Sequence, residues 1–421
     1  MERRKFIQNA AAVSSVTFMS PHLAFGSQAN SAIRLGVIGC GNRGTAVASA
    51  FVKNTNTRIV AIADLFRNAL QEAENNFNTV NTEKGFNAIE KIKIYAGPDA
   101  YMDLIQDRDV DAVLVSSPAY THPEYAGAAV RQGKHVYCEK PVATDITGCR
   151  KFSQVGKDAE GKVSLVVGFQ IRYAEPYIEM IRRINRGDIG ELVNVQLYYF
   201  GRDKAYIEPL TDSFDEMRIL NHYHYRALSG GILLDQGIHM IDVCNWQMQK
   251  KPLLAIGSGN AKGSLNIGDT YTNYQIIYEY PNDVNVCFHS KKMGSHGGDV
   301  CARFIGTTGT AEAHYSRGVF IKGANEWNGV LPSGTEPTEA QRAAGIFTSA
   351  LANSTENKVK AFIDSINNGN YLNEAESATT STLIAIMGAN AAMSKEVITW
   401  DEMLYSRDIL DPRLDLKQFA R

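Results

Sequence analysis

A carboxylate and an imidazole are spaced for proton transfer in the second half of the chain. Asp235 lies four residues before His239, and Asp242 lies three residues after it. On a helix, side chains three and four residues apart share one face. A carboxylate beside an imidazole fixes its tautomer and raises its basicity, as a general base requires. The spacing therefore predicts a helix that carries all three side chains on one face, after the flexible pair Gly230–Gly231.

The histidines of this region lack the spacing of a metal site. His222 and His224 are two residues apart, so they do not share a helix face, and the sequence contains no H-E-x-x-H motif. We therefore predict no bound metal. The segment 221–226 is dense in hydrogen-bonding side chains that suit a sugar, although a polar surface loop would have the same composition. The candidate substrate contacts are Arg172, Tyr173, His222, His224 and Arg226.

A lysine suited to charge stabilisation follows a short apolar strand. Glu139-Lys140-Pro141 comes directly after the predicted strand His135–Cys138. Charged residues beyond a buried parallel strand lie at the carboxyl edge of the sheet, where ligands bind. Pro141 forces the chain out of the strand and stiffens the turn. An ammonium group at this place could stabilise negative charge that develops on a reacting oxygen.

A glycine-rich turn near the start of the chain predicts a dinucleotide site. The apolar stretch Leu35–Ile38 runs into Gly39-x-Gly41-x-x-Gly44, and an alanine-rich helical pattern follows. In such a turn the first glycine permits the sharp bend, the second lets a pyrophosphate approach the backbone, and the third allows close helix–strand packing. The anion would then lie at the helix N-terminus, where free N–H groups favour negative charge.

The identity of the dinucleotide depends on the end of the next predicted strand. Asp64 ends the apolar run 58–64 and lies 20 residues past Gly44, where a ribose-binding carboxylate belongs. Its carboxylate would accept hydrogen bonds from both ribose hydroxyls and repel a 2′-phosphate, which favours NAD. Arg43 and Arg67 could accommodate that phosphate, so NADP remains the less favoured alternative.

The elements that must position these residues form two domains. Strands and helices alternate over residues 33–155, which predicts a parallel sheet of the Rossmann type. Residues 156–400 contain strands of period two joined by short turns, which predicts an open antiparallel or mixed sheet with helices on one face. The fold class is thus α/β followed by α+β, with a tail at 401–421. We place the strand 165–169 in the second domain, and interpret 78–90 as an insertion and 322–345 as a long loop.

The composition is that of an ordinary globular protein and excludes several partners. The 421 residues are 44% hydrophobic and 21% charged, with a net charge of −2. Because no basic run is interleaved with aromatic residues, we expect no nucleic-acid partner. The six cysteines are scattered without zinc or disulfide spacing, and we predict buried thiols.

The N-terminus has the parts of an export signal. Arg3-Arg4 precedes a mildly apolar run at 10–19, and Ala24-Phe-Gly26 supplies small residues for cleavage. We expect twin-arginine export to the periplasm, cleavage after Gly26 and no integral membrane segment in the mature chain. Since this route carries folded proteins, a dinucleotide bound in the cytoplasm could remain bound after export.

The order of these motifs resembles the Gfo/Idh/MocA oxidoreductases over nearly all of the mature chain. The matching motifs are Gly39-x-Gly41-x-x-Gly44, Asp64, Ser117-Pro118-x3-His122, Glu139-Lys140-Pro141, Gly168-Phe-Gln-x-Arg172 and Gly231-x3-Asp235-x3-His239-x2-Asp242. The resemblance implies a homodimer or homotetramer formed through the open sheet. One member class, glucose–fructose oxidoreductase, is exported by the same route with its dinucleotide tightly held. The cofactor-binding residues are then Gly39, Gly41, Asn42, Arg43, Gly44, Asp64, Ser117, Pro118, His122, Glu139 and Lys140.

The resemblance also implies a reaction, hydride transfer between a sugar carbon and the nicotinamide. His239 would take the hydroxyl proton, Asp235 would orient His239 or share the proton, and Lys140 would stabilise the reacting oxygen. The substrate would be a sugar or glycoside, with C3 as one position for oxidation. A glycosidase that recycles NAD through oxidation, elimination, hydration and reduction is the main alternative. A non-catalytic dinucleotide-dependent binding protein is a third hypothesis.

Overall fold

The structure is a computed structural model that describes residues 31–86, 91–202, 205–294, 298–316, 318–331 and 335–420. The predicted export signal lies outside these residues. No helix among the residues described is long and apolar enough to cross a membrane.

Six parallel strands form the first sheet. They are β1 (Ile33–Ile38), β2 (Thr57–Asp64), β3 (Lys93–Ala96), β4 (Ala112–Val115), β5 (His135–Cys138) and β6 (Leu165–Val167). Their order across the sheet is β3-β2-β1-β4-β5-β6. The chain adds β2 and β3 on one side of β1 and then β4, β5 and β6 on the other side, as in a doubly wound Rossmann sheet. Every residue of β4 is buried, because helices cover both faces of this sheet. The predicted fold class of the first half is confirmed.

The helices between these strands cover the sheet. They are α1 (Asn42–Asn54), α2 (Arg67–Glu83), α3 (Ala100–Gln106), α4 (His122–Arg131) and α5 (Ile146–Ala159). The interpretation of residues 78–90 as an insertion is wrong for its first part, because α2 continues to Glu83. Leu70, Ala73, Phe77 and Val80 form one buried stripe along this helix. Asparagine and threonine residues separate these apolar positions and make the stripe difficult to recognise in the sequence.

The assignment of the strand at 165–169 to the second domain is wrong. Strand β6 pairs in parallel with β5, with Leu165 opposite Val136, and forms the edge of the first sheet. The helix α5 makes the connection between them, so this is one more βαβ unit. The boundary that we drew at residue 155 therefore falls before the last strand of the first sheet.

Nine strands form the second sheet. They are β7 (Leu192–Gly201), β8 (Leu254–Asn260), β9 (Asn273–Tyr280), β10 (Val284–Lys292), β11 (Val300–Gly306), β12 (Gly309–His314), β13 (Gly318–Gly323), β14 (Trp327–Asn328) and β15 (Ile398–Thr399). The order is β14-β13-β12-β11-β7-β10-β9-β8-β15. The pair β7–β10 is parallel and the other pairs are antiparallel, so the sheet is mixed as predicted.

Helices pack on one face of this sheet. They include α6 (Glu175–Asn185), α9 (Ile238–Met248) and α12 (Ala375–Ser394). The other helices of this half are α7 (Phe214–Leu220), α8 (Arg226–Ser229), α10 (Glu339–Ala343), α11 (Ser354–Asn367) and α13 (Trp400–Tyr405). Tyr278 of β9 points toward α12 and donates a hydrogen bond to the carbonyl of Ile384. On the opposite face, Ile256 and Ile277 are 40% and 41% exposed.

The region 322–345 is not a continuous loop. Strand β14 places the Trp327 side chain in the core, and a capping box of Thr338 and Gln341 starts α10. Strand β14 has two residues and helix α10 has five, so each is too short to produce a visible period in the sequence.

The chain returns to the first domain near its end. Helix α11 packs on α1, and Phe362 contacts Phe51 and Tyr137 with ring centroids 5.7 and 6.1 Å apart. The core of the first domain is therefore completed by residues far along the chain. All six cysteines are free; five are buried and Cys287 is half-buried, which agrees with the prediction of buried thiols.

Candidate active site

The glycine turn leaves open space at one position only. Gly39 has a φ of +90°, and a Cβ on Gly44 would lie 2.0 Å from the Gly39 carbonyl oxygen, so both positions require glycine. A Cβ on Gly41 would meet nothing within 4 Å. Gly41 is also the N-cap of α1, and it provides no side-chain cap for the first N–H groups. The open backbone at this helix N-terminus fits a pyrophosphate.

Asp64 is fixed beside the glycine turn. Its Oδ2 accepts a hydrogen bond of 2.7 Å from the Cys40 amide, and its Oδ1 accepts one of 2.9 Å from the Phe66 amide. Burial raises the pKa of this carboxyl, while these amide hydrogen bonds oppose the rise. The side chain therefore stands at the carboxyl end of β2, on the edge where a nucleotide binds. Its contact with a ribose stays a prediction.

Arg43 and Glu139 connect the glycine turn with the loop after β5. Arg43 Nε donates to Glu139 Oε1 at 2.8 Å, and the Glu139 side chain is 6% exposed. A Cβ on Gly168 would lie 2.4 Å from Glu139 Oε2, which explains the glycine of that motif. In the part of the chain that the structure describes, the buried Arg43 Nη2 has no hydrogen-bond partner. This atom is available to an anionic or carbonyl group of a bound nucleotide.

His122 joins the loops that follow β4 and β5. Its Nδ1 is 2.7 Å from the Pro141 carbonyl oxygen, and its Nε2 is 2.8 Å from that of Ser117. Burial lowers the pKa of His122. The residue thus braces the loop that carries Lys140, and the predicted positions Ser117, Pro118 and His122 lie together at the carboxyl edge of the sheet.

Lys140 and Asp235 meet where the two domains adjoin. Lys140 Nζ donates to the Asp235 backbone carbonyl and lies 3.3 Å from Asp235 Oδ1. The residues Leu233–Gly237 form a π-helical turn that leads into α9. Such turns within α-helices frequently mark functional sites. Asp235 lies in this π-turn and is therefore out of the predicted α-helical register with His239, whereas His239 and Asp242 both lie in α9 at the predicted spacing of three residues.

His239 is a buried imidazole next to the lysine. It is 7% exposed, and the rings of Phe169 and Tyr315 pack edge-on against it at 6.2 and 6.4 Å. Burial lowers the pKa of His239 well below its usual value, and the positive charges of Lys140 and Arg43 lower it further. The imidazole is therefore neutral, and able to accept a proton, at neutral pH.

Asp235 does not contact the His239 ring nitrogen through which it is expected to orient the imidazole. Within the described residues, the buried Nδ1 of His239 has no hydrogen-bond partner and no bond joins it to Asp235. The geometry gives Asp235 a different role, because it holds the ammonium group of Lys140 rather than the imidazole.

Asp242 belongs to a buried ion pair outside this cluster. Arg172 binds it through two parallel hydrogen bonds of 2.8 Å, and Ser381 Oγ donates to it at 2.7 Å. The Asp242 side chain is 1% exposed. Arg172, which we predicted to contact the substrate, and Asp242, which we predicted to lie beside His239, therefore form an ion pair with each other.

Tyr173 is also engaged elsewhere. Its hydroxyl donates to Glu374 Oε1 at 2.7 Å, and Glu374 pairs with the buried Lys358 at 2.8 Å. This network ties the loop after β6 to α11 and the start of α12. The structure gives Arg172 and Tyr173 packing partners, and neither contacts Lys140, Asp235 or His239 among the described contacts.

The segment 221–226 contributes Tyr223 to the cluster. Burial raises the pKa of Tyr223, and the negative charges of Asp235 and Glu139 raise it further. The His222 ring packs on Tyr223 with centroids 4.0 Å apart, and a Cβ on Gly268 would overlap the His224 carbonyl. The Arg226 amide donates to Asp269. Of the residues predicted here, His222 therefore reaches the cluster through its contact with Tyr223.

Two further tyrosines were missed by sequence reasoning. Burial raises the pKa of Tyr199 to about 12, and the charge of Asp235 contributes. Tyr315 packs against both His239 and Tyr199, and its buried hydroxyl has no hydrogen-bond partner among the described residues. The period of β7 places Tyr199 on the inner face with Val195 and Leu197, a signal that the sequence contains. The position of Tyr315, directly after β12, has no such local signal.

One His/Cys/Glu cluster in the described chain has the spacing of metal ligands. Cys301, Glu312 and His314 lie on adjacent strands of the second sheet, with their ligand atoms within 4.8 Å of one another. Arg303 binds both oxygens of Glu312, and Asp299 bonds His314 Nδ1 at 3.0 Å. The guanidinium group already neutralises Glu312 and would repel a cation. We interpret the cluster as an ion-pair network.

Comparison with known proteins identifies both domains. The sequence profile described as "Oxidoreductase family, NAD-binding Rossmann fold" matches residues 33–169. The profile of the "GFO/IDH/MocA C-terminal domain" matches residues 177–312. Inositol 2-dehydrogenase 2 of Saccharopolyspora erythraea is 29% identical over 290 residues, which are 67% of this chain and 73% of that protein.

Solved structures share the fold. Myo-inositol 2-dehydrogenase from Lactobacillus plantarum has a TM-score of 0.66 at 20% identity, over 87% of this chain and 99% of that one. Aldose-aldose oxidoreductase from Caulobacter crescentus has a TM-score of 0.67 at 17% identity, with the same coverage of 87% and 99%. The first domain is an NAD-binding Rossmann domain, and the open backbone at Gly41 fits this cofactor.

Proposed function

Because the chain belongs to the Gfo/Idh/MocA family of NAD-binding oxidoreductases, we propose that it transfers a hydride between tightly held NAD and a hydroxyl-bearing carbon of a sugar or glycoside. The observation that carries the proposal is the contact of Lys140 with Asp235 beside the neutral imidazole of His239. The names of the relatives support a polyhydroxylated substrate, since they act on inositols and aldoses.

Each residue of this cluster has a separate role in the proposed hydride transfer. When bound, NAD accepts or donates the hydride. His239 takes the hydroxyl proton during oxidation and returns it during reduction, because its lowered pKa keeps it unprotonated. Lys140 donates a hydrogen bond to the reacting oxygen and stabilises its developing negative charge. Asp235 is a positioning residue that holds the ammonium group in place.

The substrate would bind among tyrosine hydroxyls. Tyr199, Tyr223 and Tyr315 surround the Lys140–Asp235–His239 cluster, and burial raises the pKa of each hydroxyl. They remain neutral donors and acceptors at neutral pH, as recognition of sugar hydroxyls requires. The His222 ring packs against Tyr223 and supports this wall in the proposed site.

Export forms part of the proposal. The twin-arginine pattern at residues 1–26 supports periplasmic localisation with NAD loaded before export. A protein that keeps one NAD in a compartment without a free pool must return the hydride to a second substrate or to its own product. The exposed face of the second sheet, with Ile256 and Ile277, supports assembly into a homodimer or homotetramer.

One observation favours a second function, an NAD-recycling glycosidase. The buried hydroxyls of Tyr199, Tyr223 and Tyr315 are neutral, and one of them could donate a proton to a departing aglycone oxygen. Such an enzyme would oxidise the sugar, eliminate the aglycone, add water and reduce the product, with no net change in NAD.

A substrate screen distinguishes these functions. The purified protein is incubated with inositols, aldoses and aryl glycosides, while the absorbance of NADH, the keto-sugar product and the released aglycone are measured. A keto product with NADH supports the dehydrogenase, and aglycone release without net NADH supports the glycosidase. Lys140→Met, which should keep only residual activity, serves as the control. If no member of the panel gives either change, the proposed function is wrong.

A further inference from the structure

The last residues of the chain lie against the cofactor edge of the first domain. We call residues 406–420 the C-terminal strap. The Phe419 ring packs edge-on against Phe66 with centroids 5.6 Å apart, and the Phe419 carbonyl oxygen would be 3.5 Å from a Cβ on Gly97. Phe66 lies two residues after the end of β2, and Gly97 directly follows β3. The strap therefore reaches the same edge of the sheet as Asp64.

Asp64 and the strap share their neighbours. Asp64 Oδ1 accepts from the Phe66 amide at 2.9 Å, and the Asp64 backbone carbonyl accepts from the Gly97 amide at 3.0 Å. In a Rossmann domain, the acidic residue at the end of the second strand marks the ribose of the adenosine half. Phe66 and Phe419 thus flank the position of the adenine ring that adjoins this ribose.

The strap is held by specific contacts rather than by burial. Arg218 donates to the carbonyls of Pro412 and Arg413 at 2.5 and 3.3 Å. Asp215 accepts from the Asp415 amide at 2.9 Å, and Gln418 bonds both Asp215 and Ser213. Most of its side chains are half-buried or exposed. A segment that buries so little apolar area gains little stability for the fold in return for being ordered.

The strap also connects the two domains. Its anchors at Ser213–Arg218 belong to the second domain, while the Leu410 amide donates to Asp145 of the first at 2.9 Å. An opening of the adenosine end would require these contacts to break together. The strap is therefore built to stay closed over a bound nucleotide.

We propose that the C-terminal strap completes the adenosine end of the NAD site, with Phe66 and Phe419 as the aromatic wall for adenine, and that it slows NAD release. The inference rests on the NAD site of the proposed function and explains how the cofactor is retained. Adenine is a flat aromatic ring, and packing of aromatic rings stabilises a contact beyond the area that they bury.

The experiment measures NAD release from Phe419→Ala. Protein loaded with NADH is diluted into excess NAD, and loss of bound NADH fluorescence gives the release rate without any sugar substrate. We expect release about three- to tenfold faster than in the wild type, which corresponds to the loss of one aromatic contact. Tyr405→Ala is the matched control, because Tyr405 is 84% exposed just before the strap.

The outcomes separate the strap from the proposed function. Equal release rates for Phe419→Ala, Tyr405→Ala and the wild type would overturn the strap alone. A wild-type protein that binds no NADH would overturn both proposals. As a second measurement, amide hydrogen exchange over residues 411–420 is compared in the wild type with and without NADH. Slower exchange with NADH supports the strap, and unchanged exchange contradicts it.

Discussion

The two aspartates that flank His239 in the sequence bind different cations in the structure. Asp235 lies in the π-turn, 18% exposed, with Lys140 across the junction of the two domains. Asp242 lies in α9, 1% exposed, with both oxygens bound by Arg172. Sequence spacing makes the two residues equivalent companions of the histidine, and the structure separates them by their cations. The role of each carboxylate therefore depends on the cation that it binds rather than on its sequence spacing from the histidine.

The largest expected effect comes from the base itself. His239→Gln removes the proton acceptor, and we expect kcat to fall about 10²–10⁴-fold, the usual range for a general base. NADH binding should change little, because the substitution leaves the glycine turn and Asp64 untouched. Stopped-flow measurement of NADH formation with the best substrate tests this. His289→Gln, on the outer face of the second sheet, is the control. A kcat within about threefold of wild type would exclude His239 as the base.

The second prediction separates the aspartates by stability. Asp242→Ala leaves the buried Arg172 charge without a partner, so the free energy of unfolding should fall by about 3–5 kcal/mol. Asp235→Ala should lower stability by less than Asp242→Ala, because Asp235 is 18% exposed whereas Asp242 is 1% exposed, and the Lys140 ammonium group keeps its hydrogen bond to the backbone carbonyl of residue 235, while it lowers kcat. Urea denaturation of both variants measures the difference. Asp242→Asn, which can still accept from Ser381, provides a folded variant if Asp242→Ala is insoluble. Equal losses of stability would remove the distinction.

The third prediction concerns pH. Burial, and then the charges of Lys140 and Arg43, lower the pKa of His239 well below that of free imidazole. The base form therefore persists as the pH falls, and the acid limb of kcat/KM should lie below pH 6.5, the usual imidazole value. In Lys140→Met one of the two charges is lost, so the limb of the residual activity should move to higher pH. A limb that stays in place would assign it to another group.

The same shift predicts how stability depends on pH. The unfolded chain binds a proton at His239 near pH 6.5, whereas the folded protein does not. Stability from this residue is therefore complete above about pH 6.5 and is lost as the pH falls toward the lowered folded value. His122, whose pKa is lowered by burial, acts in the same direction.

The cofactor half of the site could be predicted from the sequence, and the substrate half only in part. Gly39, Gly44 and Asp64 act through local backbone geometry, so their spacing carries the information. Lys140 was predicted because it directly follows a strand. Tyr315 reaches His239 through the pairing of distant strands, and the π-turn at Asp235 breaks the helical period on which the spacing argument depends.

Substitution of Tyr173 has the smallest expected effect, and it tests directly whether a substrate contact could be predicted from the sequence. Sequence reasoning makes it a substrate contact, whereas in the structure its hydroxyl donates to Glu374 beside Lys358. Tyr173→Phe should therefore lower the free energy of unfolding by about 1.5–3 kcal/mol, the contribution of one hydrogen bond to a charged group, and leave KM unchanged. Urea denaturation and substrate titration are compared with Tyr405→Phe as the exposed control. A rise in KM without loss of stability would restore the substrate role, because only a group in contact with the sugar affects binding in that way.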